Sequence, residues 1–343
     1  MFPMIKKTVF YSAKWLGLFA LARRIYRHRV RILCYHGFTL EDEHLCVPGL
    51  FIEPDVFQQR MDYLADKNYR VLPLHEAWLE IESGNIGADT VVLTIDDGFY
   101  STLRLAAPVL AEHGFPATLY LTSYYFDQPC PIFTLTVDYL FFKSGGDTSV
   151  LQQLAAGFSD AFVAPEDWRD RDQLRDALKN YGQQLPDNEQ REQLLQTIGN
   201  ALGVAYQPIR DSRILGLVNR QEIAELERAG VDIQLHTHRH RFPTDTGVAA
   251  QELRDNRAAL QDHVAAPLNH FCYPSGEWDE AHWPVLQEAG MLTATTCESG
   301  LVDARTPPLA MNRILDSARV SQIEYEAEVS GFNQLIRSLR GRS

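Results

Sequence analysis

The chain has 343 residues, 45% of them apolar and 22% charged, the balance of a soluble globular protein of one large domain or two modest ones. Its formal net charge of −13 argues against nonspecific nucleic-acid binding, and no nucleic-acid partner is expected. That charge is unevenly placed: up to Leu40 the chain carries Lys6, Lys7, Lys14, Arg23, Arg24, Arg27, Arg29 and Arg31 and no acid, a local charge of +8, which leaves −21 for the rest.

Residues 4 to 29 interleave those cations with Phe10, Tyr11, Trp15, Leu16, Leu18, Phe19, Leu21, Ile25 and Tyr26 at helical spacing, which predicts a basic amphipathic helix. Two fates suit such a helix, docking on an anionic membrane surface or packing its apolar side on the domain itself. A signal peptide fits less well, because Lys14 interrupts the apolar stretch and a basic cluster follows it. The uninterrupted apolar run Trp15 to Ala22 is far too short to span a bilayer. Residues 1–29 are therefore read as this N-terminal helix and 30–343 as one catalytic domain. The five scattered cysteines, Cys34, Cys46, Cys130, Cys272 and Cys297, have no disulfide or zinc-finger spacing and fit a reducing compartment.

From Arg31 onward strand-like and helix-like segments alternate. Arg31 to Tyr35 is a strand, about 53 to 67 a helix with Phe57, Met61 and Leu64 on one face, Tyr69 to Leu72 a strand and 74 to 82 a helix. Val91 to Ile95 is a continuous β-branched run suited to a strand buried on both faces. A helix from Ser101 to His113 ends at Gly114, and Pro116 to Thr122 is a strand. The segment 124 to 215 breaks the alternation: rich in Gln, Asp, Glu and Leu, with helical stretches near 166 to 182 and 187 to 202, it reads as an insertion that either shapes substrate access or is peripheral. The alternation resumes with a helix at 219 to 229, the strand Val231 to Leu235, a helix at about 248 to 265, the strand His270 to Tyr273, a helix at about 279 to 289 and the strand Leu292 to Thr296. Such repetition specifies a parallel sheet with helices outside, open or closed into a barrel.

Two motifs end separate strands. Thr94-Ile95-Asp96-Asp97-Gly98 puts two aspartates at a strand's C-terminal end, where parallel α/β architectures gather their chemistry. His236-Thr237-His238-Arg239-His240 spaces two imidazoles four residues apart, on one face if that turn is helical. A turn and a chance histidine cluster are the plain alternatives, but together one carboxylate and two imidazoles make the open three-ligand shell of a catalytic divalent metal.

Tyr35-His36-Gly37, Thr94 to Gly98, His236-Thr237-x-x-His240 and Phe271-Cys272-Tyr273-Pro274-Ser275-Gly276 occur in the order and spacing of the polysaccharide deacetylases, the carbohydrate esterase group with the chitooligosaccharide-deacetylase homology domain. The chain resembles that family from about residue 31 to about 320. The resemblance implies a distorted (β/α)7-type barrel and metal-dependent removal of acetyl from N-acetylated sugars. It assigns Asp97, His236 and His240 to a divalent metal, most naturally Zn2+ with Co2+, Ni2+, Fe2+ or Mn2+ as alternatives, and Asp96 to the general base. The backbone N–H of Ser275 would donate to the oxyanion.

Three departures stand out. Ser275 replaces the family's usual tyrosine, Cys272 stands nearest the position of the arginine that steadies the base, and no Leu-x-x-His motif supplies the acid for the leaving amine. His36 is a candidate proton donor, or else a histidine hydrogen-bonded in the barrel mouth, and Asp96 could return the proton it took. Arg313 lies where divergent members have a strand-end arginine and could orient Asp96 by a bidentate pair, and His238 reads as a supporting or surface residue. The expected activity is de-N-acetylation of a bacterial surface polysaccharide, an exopolysaccharide or its lipid-linked precursor at the cytoplasmic face of the inner membrane. An enzyme of the same fold acting on an O-acetyl ester or another amide, and a noncatalytic glycan-binding module, are the alternatives.

Overall fold

A computed structural model of the chain describes residues 2–126, 130–144, 152, 158, 162–167 and 170–340, so residue 1, parts of the expected insertion and residues 341–343 lie outside the described residues. Ten strands are described in chain order: β1 (Arg31–Tyr35), β2 (Gly37–Phe38), β3 (Phe51–Ile52), β4 (Arg70–Val71), β5 (Thr90–Ile95), β6 (Ala117–Leu121), β7 (Val231–Leu235), β8 (His270–Cys272), β9 (Thr293–Ser299) and β10 (Met311–Leu315). Seven of them close a ring in the order β1-β10-β9-β8-β7-β6-β5 and back to β1, every pairing parallel. Periodicity alone left the sheet open or closed, and the family resemblance implied a distorted (β/α)7-type barrel; the ring is closed, as that resemblance implied.

The distortion lies at β5. One edge pairs with β1 from Val91 to Ile95, while the other carries β4 at Thr90 and Val91 and β6 at Thr94 and Ile95. Both β1 and β5 are buried along their whole length, as strands lined by side chains inside and helices outside must be. The ring buries Leu33, Leu93, Leu119, Ile233 and Ala294 against helices that contribute Met61, Leu110, Leu226 and Leu253.

Several elements differ from their sequence outlines for local reasons. Pro108 sits within the segment expected as one helix from Ser101 to His113, and the chain there forms a π-helical turn, Thr102–Ala106, followed by the α-helix Ala107–His113; a proline without an N–H cannot continue the ladder unbroken. The expected helix at 279 to 289 is a 3₁₀ turn, Glu280–His282, leading into Trp283–Glu288 with Pro284 in its first turn. The single helix expected over 4 to 29 is two, α1 (Phe2–Trp15) and α2 (Leu18–Ile25), separated at Gly17, whose φ of 76° breaks the helix. Strand β10 and the helices Gln322–Val329 and Phe332–Leu339, outside the sequence outline, close the ring and cover it.

The insertion is helical, with Phe133–Lys143, Arg171–Gln184, Asn188–Leu202 and Tyr206–Ser212 around a core of their own that includes Phe133, Leu140, Leu174, Ile198 and Leu215. It is tied to the barrel mouth: Val218 N–H donates to Gly98 O at 2.8 Å and Tyr100 N–H to Gly216 O at 2.9 Å.

Candidate active site

Each functional side chain stands at the C-terminal end of a ring strand: His36 after β1, Asp96 and Asp97 after β5, His236 after β7, Ser275 after β8 and Arg313 within β10. The strands leave the core there, so side chains of neighbouring strands converge on one mouth.

The turn after β5 is compact. Asp96 N–H donates to Tyr35 O at 2.9 Å and Gly98 N–H to Asp96 O at 2.8 Å, a three-residue reversal that holds Asp97 at φ 69°. Gly98, at φ 94°, has no room for a side chain, since a Cβ there would lie 2.1 Å from Leu121 Cδ1. The reversal turns the two neighbouring carboxylates to different partners.

Asp97 Oδ1 lies 3.3 Å from His236 Nε2 and 3.1 Å from His240 Nε2. His236 Nδ1 is 2.8 Å from Cys272 O, which fixes Nδ1 as the protonated nitrogen and points the Nε2 lone pair into the mouth. Asp97 Oδ1 is buried and accepts no well-formed hydrogen bond among the described residues. A buried anionic oxygen between two imidazole nitrogens is a cation site by the chemistry of its donors, and one Asp and two His atoms within 4.8 Å of one another fit the three protein ligands of a catalytic divalent metal. Burial alone would raise the Asp97 carboxyl, but the two imidazoles beside it hold it well below the usual carboxylate range. Burial likewise opposes charge on His236, and the neighbouring Asp97 and Asp96 reverse that and raise its pKa.

The four-residue histidine spacing has a different basis from the helical face expected. Residues 236 to 240 are not helical: Thr237 and His240 adopt φ of 65° and 52°, and the backbone folds back to bring the rings 5.0 Å apart. A β-branched residue at positive φ is strained, and Asp97, Thr237, His240 and Ser275 all adopt it around this one mouth. The strain is held by the helix Thr246–Leu260. Its buried Asn256 accepts from His236 N–H at 3.0 Å and donates to Leu121 O and Ser123 Oγ, and its buried Glu252 accepts from Arg239 N–H at 2.8 Å and from the Arg239 and Arg241 guanidinium groups. His238 turns away from the cluster, its Nδ1 2.9 Å from Ser123 Oγ.

Asp96 is engaged differently. Arg313, fully buried, donates from both terminal nitrogens to the two carboxylate oxygens at 2.7 Å, and from Nε to Thr296 O. Burial raises the Asp96 carboxyl, but the Arg313 guanidinium more than reverses it and keeps the group far below its ordinary range. The arginine missing beside β8 is thus replaced from β10. Cys272, at the missing position, lies with its Sγ 3.4 Å from Asp96 Oδ2 and 3.2 Å from the guanidinium, leaving room for an arginine that enters from the other side. Cys34 Sγ is also 3.7 Å from Asp96 Oδ2. Two other groupings, Cys34 with His36 and Asp96, and Asp96 with His236 and Cys272, also bring ligand atoms together. The bidentate arginine occupies both oxygens of Asp96, so the Asp97 cluster is the better cation site.

His36 Nε2 is 3.7 Å from Asp96 Oδ2, with its side chain 18% exposed. Ser275, at φ 56°, tops a short turn after β8 in which Gly276 N–H donates to Tyr273 O and Glu277 N–H to Pro274 O. A cavity of about 890 Å³ opens beside Asp97 and His240, and the insertion forms much of its wall with Tyr124, Tyr125, Ile132, Phe133, Pro186 and Arg191. The insertion therefore borders the mouth. Sequence reasoning placed Cys272 near the base through the family resemblance but missed Cys34 beside it, and missed Asn256 and Glu252, polar residues in an unremarkable helical pattern that nothing local in the sequence marks.

The polysaccharide deacetylase family model matches residues 173–294, a segment that holds His236, His240 and Ser275, while Asp96 and Asp97 are joined to it by the geometry above. No curated protein sequence matches the chain. Among solved structures it is similar to the Streptococcus pyogenes deacetylase PplD in complex with acetate, at 16% identity over 87% of this chain and 96% of that one with a TM-score of 0.57. It is similar to IcaB from Ammonifex degensii at 16% identity over 88% and 97% with a TM-score of 0.55, and to a de-N-acetylase from Aggregatibacter actinomycetemcomitans at 13% over 88% and 99% with a TM-score of 0.54. Residues 173–294 match the polysaccharide deacetylase family model, and the chain shares the (β/α)7-type barrel of these solved structures.

Proposed function

We propose that the protein is a metal-dependent deacetylase that removes N-acetyl groups from amino sugars of a bacterial surface polysaccharide or exopolysaccharide, or of its lipid-linked precursor. The observation that carries this is an ionised carboxylate, Asp96, held by Arg313 directly beside a separate Asp97–His236–His240 cation cluster at the edge of a large cavity. A binding module has no use for a second, tethered carboxylate there. The fold shared with a de-N-acetylase supports removal of an N-acetyl group.

Asp97, His236 and His240 would hold a divalent cation, zinc being our choice among the metals this donor set also accepts, and it would supply Lewis acidity that brings the pKa of water towards neutrality and polarises the acetamido carbonyl. Asp96 accepts the proton of the attacking water, and Arg313 keeps its carboxylate deprotonated and aimed. The Ser275 N–H donates to the carbonyl oxygen as it gains charge. His36 returns a proton to the leaving amine, with Asp96 as the other carrier. Tyr124, Tyr125 and Phe133 offer ring faces to a sugar in the cavity, with the Arg191 guanidinium beside them.

The test is acetate release from N-acetylated oligosaccharides by wild type, Asp96→Asn and a His236→Ala, His240→Ala double variant, with elemental analysis of each. We expect near-stoichiometric divalent metal in wild type and Asp96→Asn, none in the double variant, and turnover reduced about 10²–10⁴-fold in Asp96→Asn. Unchanged turnover in Asp96→Asn removes it from the mechanism. Release from O-acetyl esters but not from N-acetyl sugars moves the substrate to the ester class.

A further inference from the structure

The N-terminal hairpin presents two opposite faces, and only one is used by the fold. Phe10 and Ala13 of α1 and Phe19 and Ala22 of α2 are buried with Ile323, Ala327 and Phe332 of the C-terminal helices. Phe332 is the centre of that contact, its ring 6.0 Å from Phe10 and 5.0 Å from Phe19. Most of the local positive charge is also consumed internally. Lys6 pairs with Glu324 and Lys14 with Glu326, Arg23 pairs with Asp89 and Arg29 with Asp303, and Arg31 is buried and donates to Val329, Tyr26 and Arg29 carbonyls.

What remains points outward. Tyr11 and Trp15 share the side of α1 away from Phe10 and are 60% and 87% exposed, and Leu16 follows at 65%. Leu21 and Ile25 share the outer side of α2, each about half exposed. Lys7, Arg24 and Arg27 are exposed and have no ion-pair partner among the described residues. An outer face with Trp and Tyr among aliphatic side chains, bordered by three cations without an ion-pair partner among the described residues, has the amphipathic and basic chemistry of a bilayer-surface helix, and on a molecule of net charge −13 it is the end that an anionic bilayer attracts. Among the described residues no helix is long and apolar enough to cross a membrane, so the contact is one of lying on the surface.

We propose that the outer face of the α1–α2 hairpin docks on anionic lipid bilayers, with Trp15 and Leu16 entering the headgroup region and Lys7, Arg24 and Arg27 meeting lipid phosphates. The hairpin belongs to the end of the barrel opposite the mouth: Arg23 reaches Asp89 and Lys67 O, and His28 Nδ1 is 2.9 Å from Ile86 O, all preceding the six-residue β5 that ends at the catalytic turn. At the usual rise per residue that strand separates Asp89 from Asp96 by about 20 Å.

The full-length protein is mixed with vesicles of phosphatidylcholine alone or with added phosphatidylglycerol, at low and high salt, and binding is read by co-sedimentation. Three unpaired cations predict a preference for the anionic vesicles on the order of a hundredfold at low salt, falling as salt rises. The exposed-residue variants W15S/L16S and R24Q/R27Q should each lose at least tenfold in binding while melting temperature and acetate release from a soluble substrate stay at the wild-type level. Quenching of tryptophan fluorescence by bromine-labelled lipid should disappear in W15F while binding persists. The proposal is overturned by equal binding to neutral and anionic vesicles, by no binding to either, by quenching that survives in W15F, or by a concentration-dependent dimer that W15S/L16S abolishes. None of these outcomes touches the deacetylase reading, which the acetate assay decides separately.

Discussion

Asp96 and Asp97 are adjacent, both buried, and both held below the usual carboxylate range, yet they do different work because their partners differ. One faces a fixed guanidinium that donates to both of its oxygens; the other faces two imidazoles that share a single oxygen. The Arg313 pair carries a consequence for stability. Asp96→Asn leaves a wholly buried guanidinium without its counter-charge, and breaking such a pair costs roughly 3–5 kcal/mol. We expect the single variant to melt at lower temperature than wild type, and Asp96→Asn with Arg313→Met to recover much of that loss without recovering turnover. Thermal melts beside acetate assays check both halves; recovery of activity in the double variant would show that the pair serves the fold alone. Gly98 is the other residue on which the turn depends. Gly98→Ala adds a Cβ that meets Leu121 at 2.1 Å in a left-handed backbone, so a loss of about 1–3 kcal/mol in denaturant unfolding is expected, with weakened metal retention because Asp97 shares the turn.

Among elements, the helix Thr246–Leu260 acts on the site through its backbone, by Asn256 on His236 N–H and Glu252 on Arg239 N–H. The N-terminal hairpin depends in the same way on one distant ring. Phe332→Ala removes the side chain that both Phe10 and Phe19 pack against, at a cost of about 3–5 kcal/mol for a buried phenylalanine. We expect hydrogen exchange of α1 and α2 to rise sharply in that variant, while β5 and β7 keep their protection. Equal loss across the barrel would mean that the hairpin and the ring unfold as one unit.

Over the whole molecule, acid stability is governed in part beneath the barrel rather than at its mouth. His270, buried at the start of β8, bonds through Nδ1 to Thr293 Oγ1 at 2.8 Å and faces His75 at 3.2 Å through Nε2. Burial, with the neighbouring His75, pushes its pKa down from 6.5 to about 3. The folded chain keeps this imidazole neutral while the unfolded chain takes up a proton near its ordinary value. Its stabilising contribution is therefore complete above about pH 6.5 and is lost as pH falls towards 3, at up to about 1.4 kcal/mol per pH unit. Melting temperature against pH should fall less steeply over that window in His270→Gln than in wild type. Identical slopes would place the acid sensitivity elsewhere.

The alternation of buried β-branched runs with amphipathic segments was enough to specify a parallel α/β sheet with helices outside, because strand and helix periods are local properties of the chain. The Asp-Asp-Gly and His-x-x-x-His motifs likewise pointed to a site, since one carboxylate and two imidazoles at separate strand ends make the open ligand shell of a divalent metal. Only the tertiary structure closed the ring through β10 and separated the tethered Asp96 from the open Asp97 cluster. Those outcomes depend on contacts such as Arg313 with Asp96, 217 residues apart in the chain, a pair expected from the family resemblance but recorded in no local pattern of the sequence. The same holds at the N-terminus: its basic amphipathic composition was legible, but which cations the domain neutralises and which apolar face it leaves exposed follows from where Phe332, Glu324 and Glu326 fold to meet it.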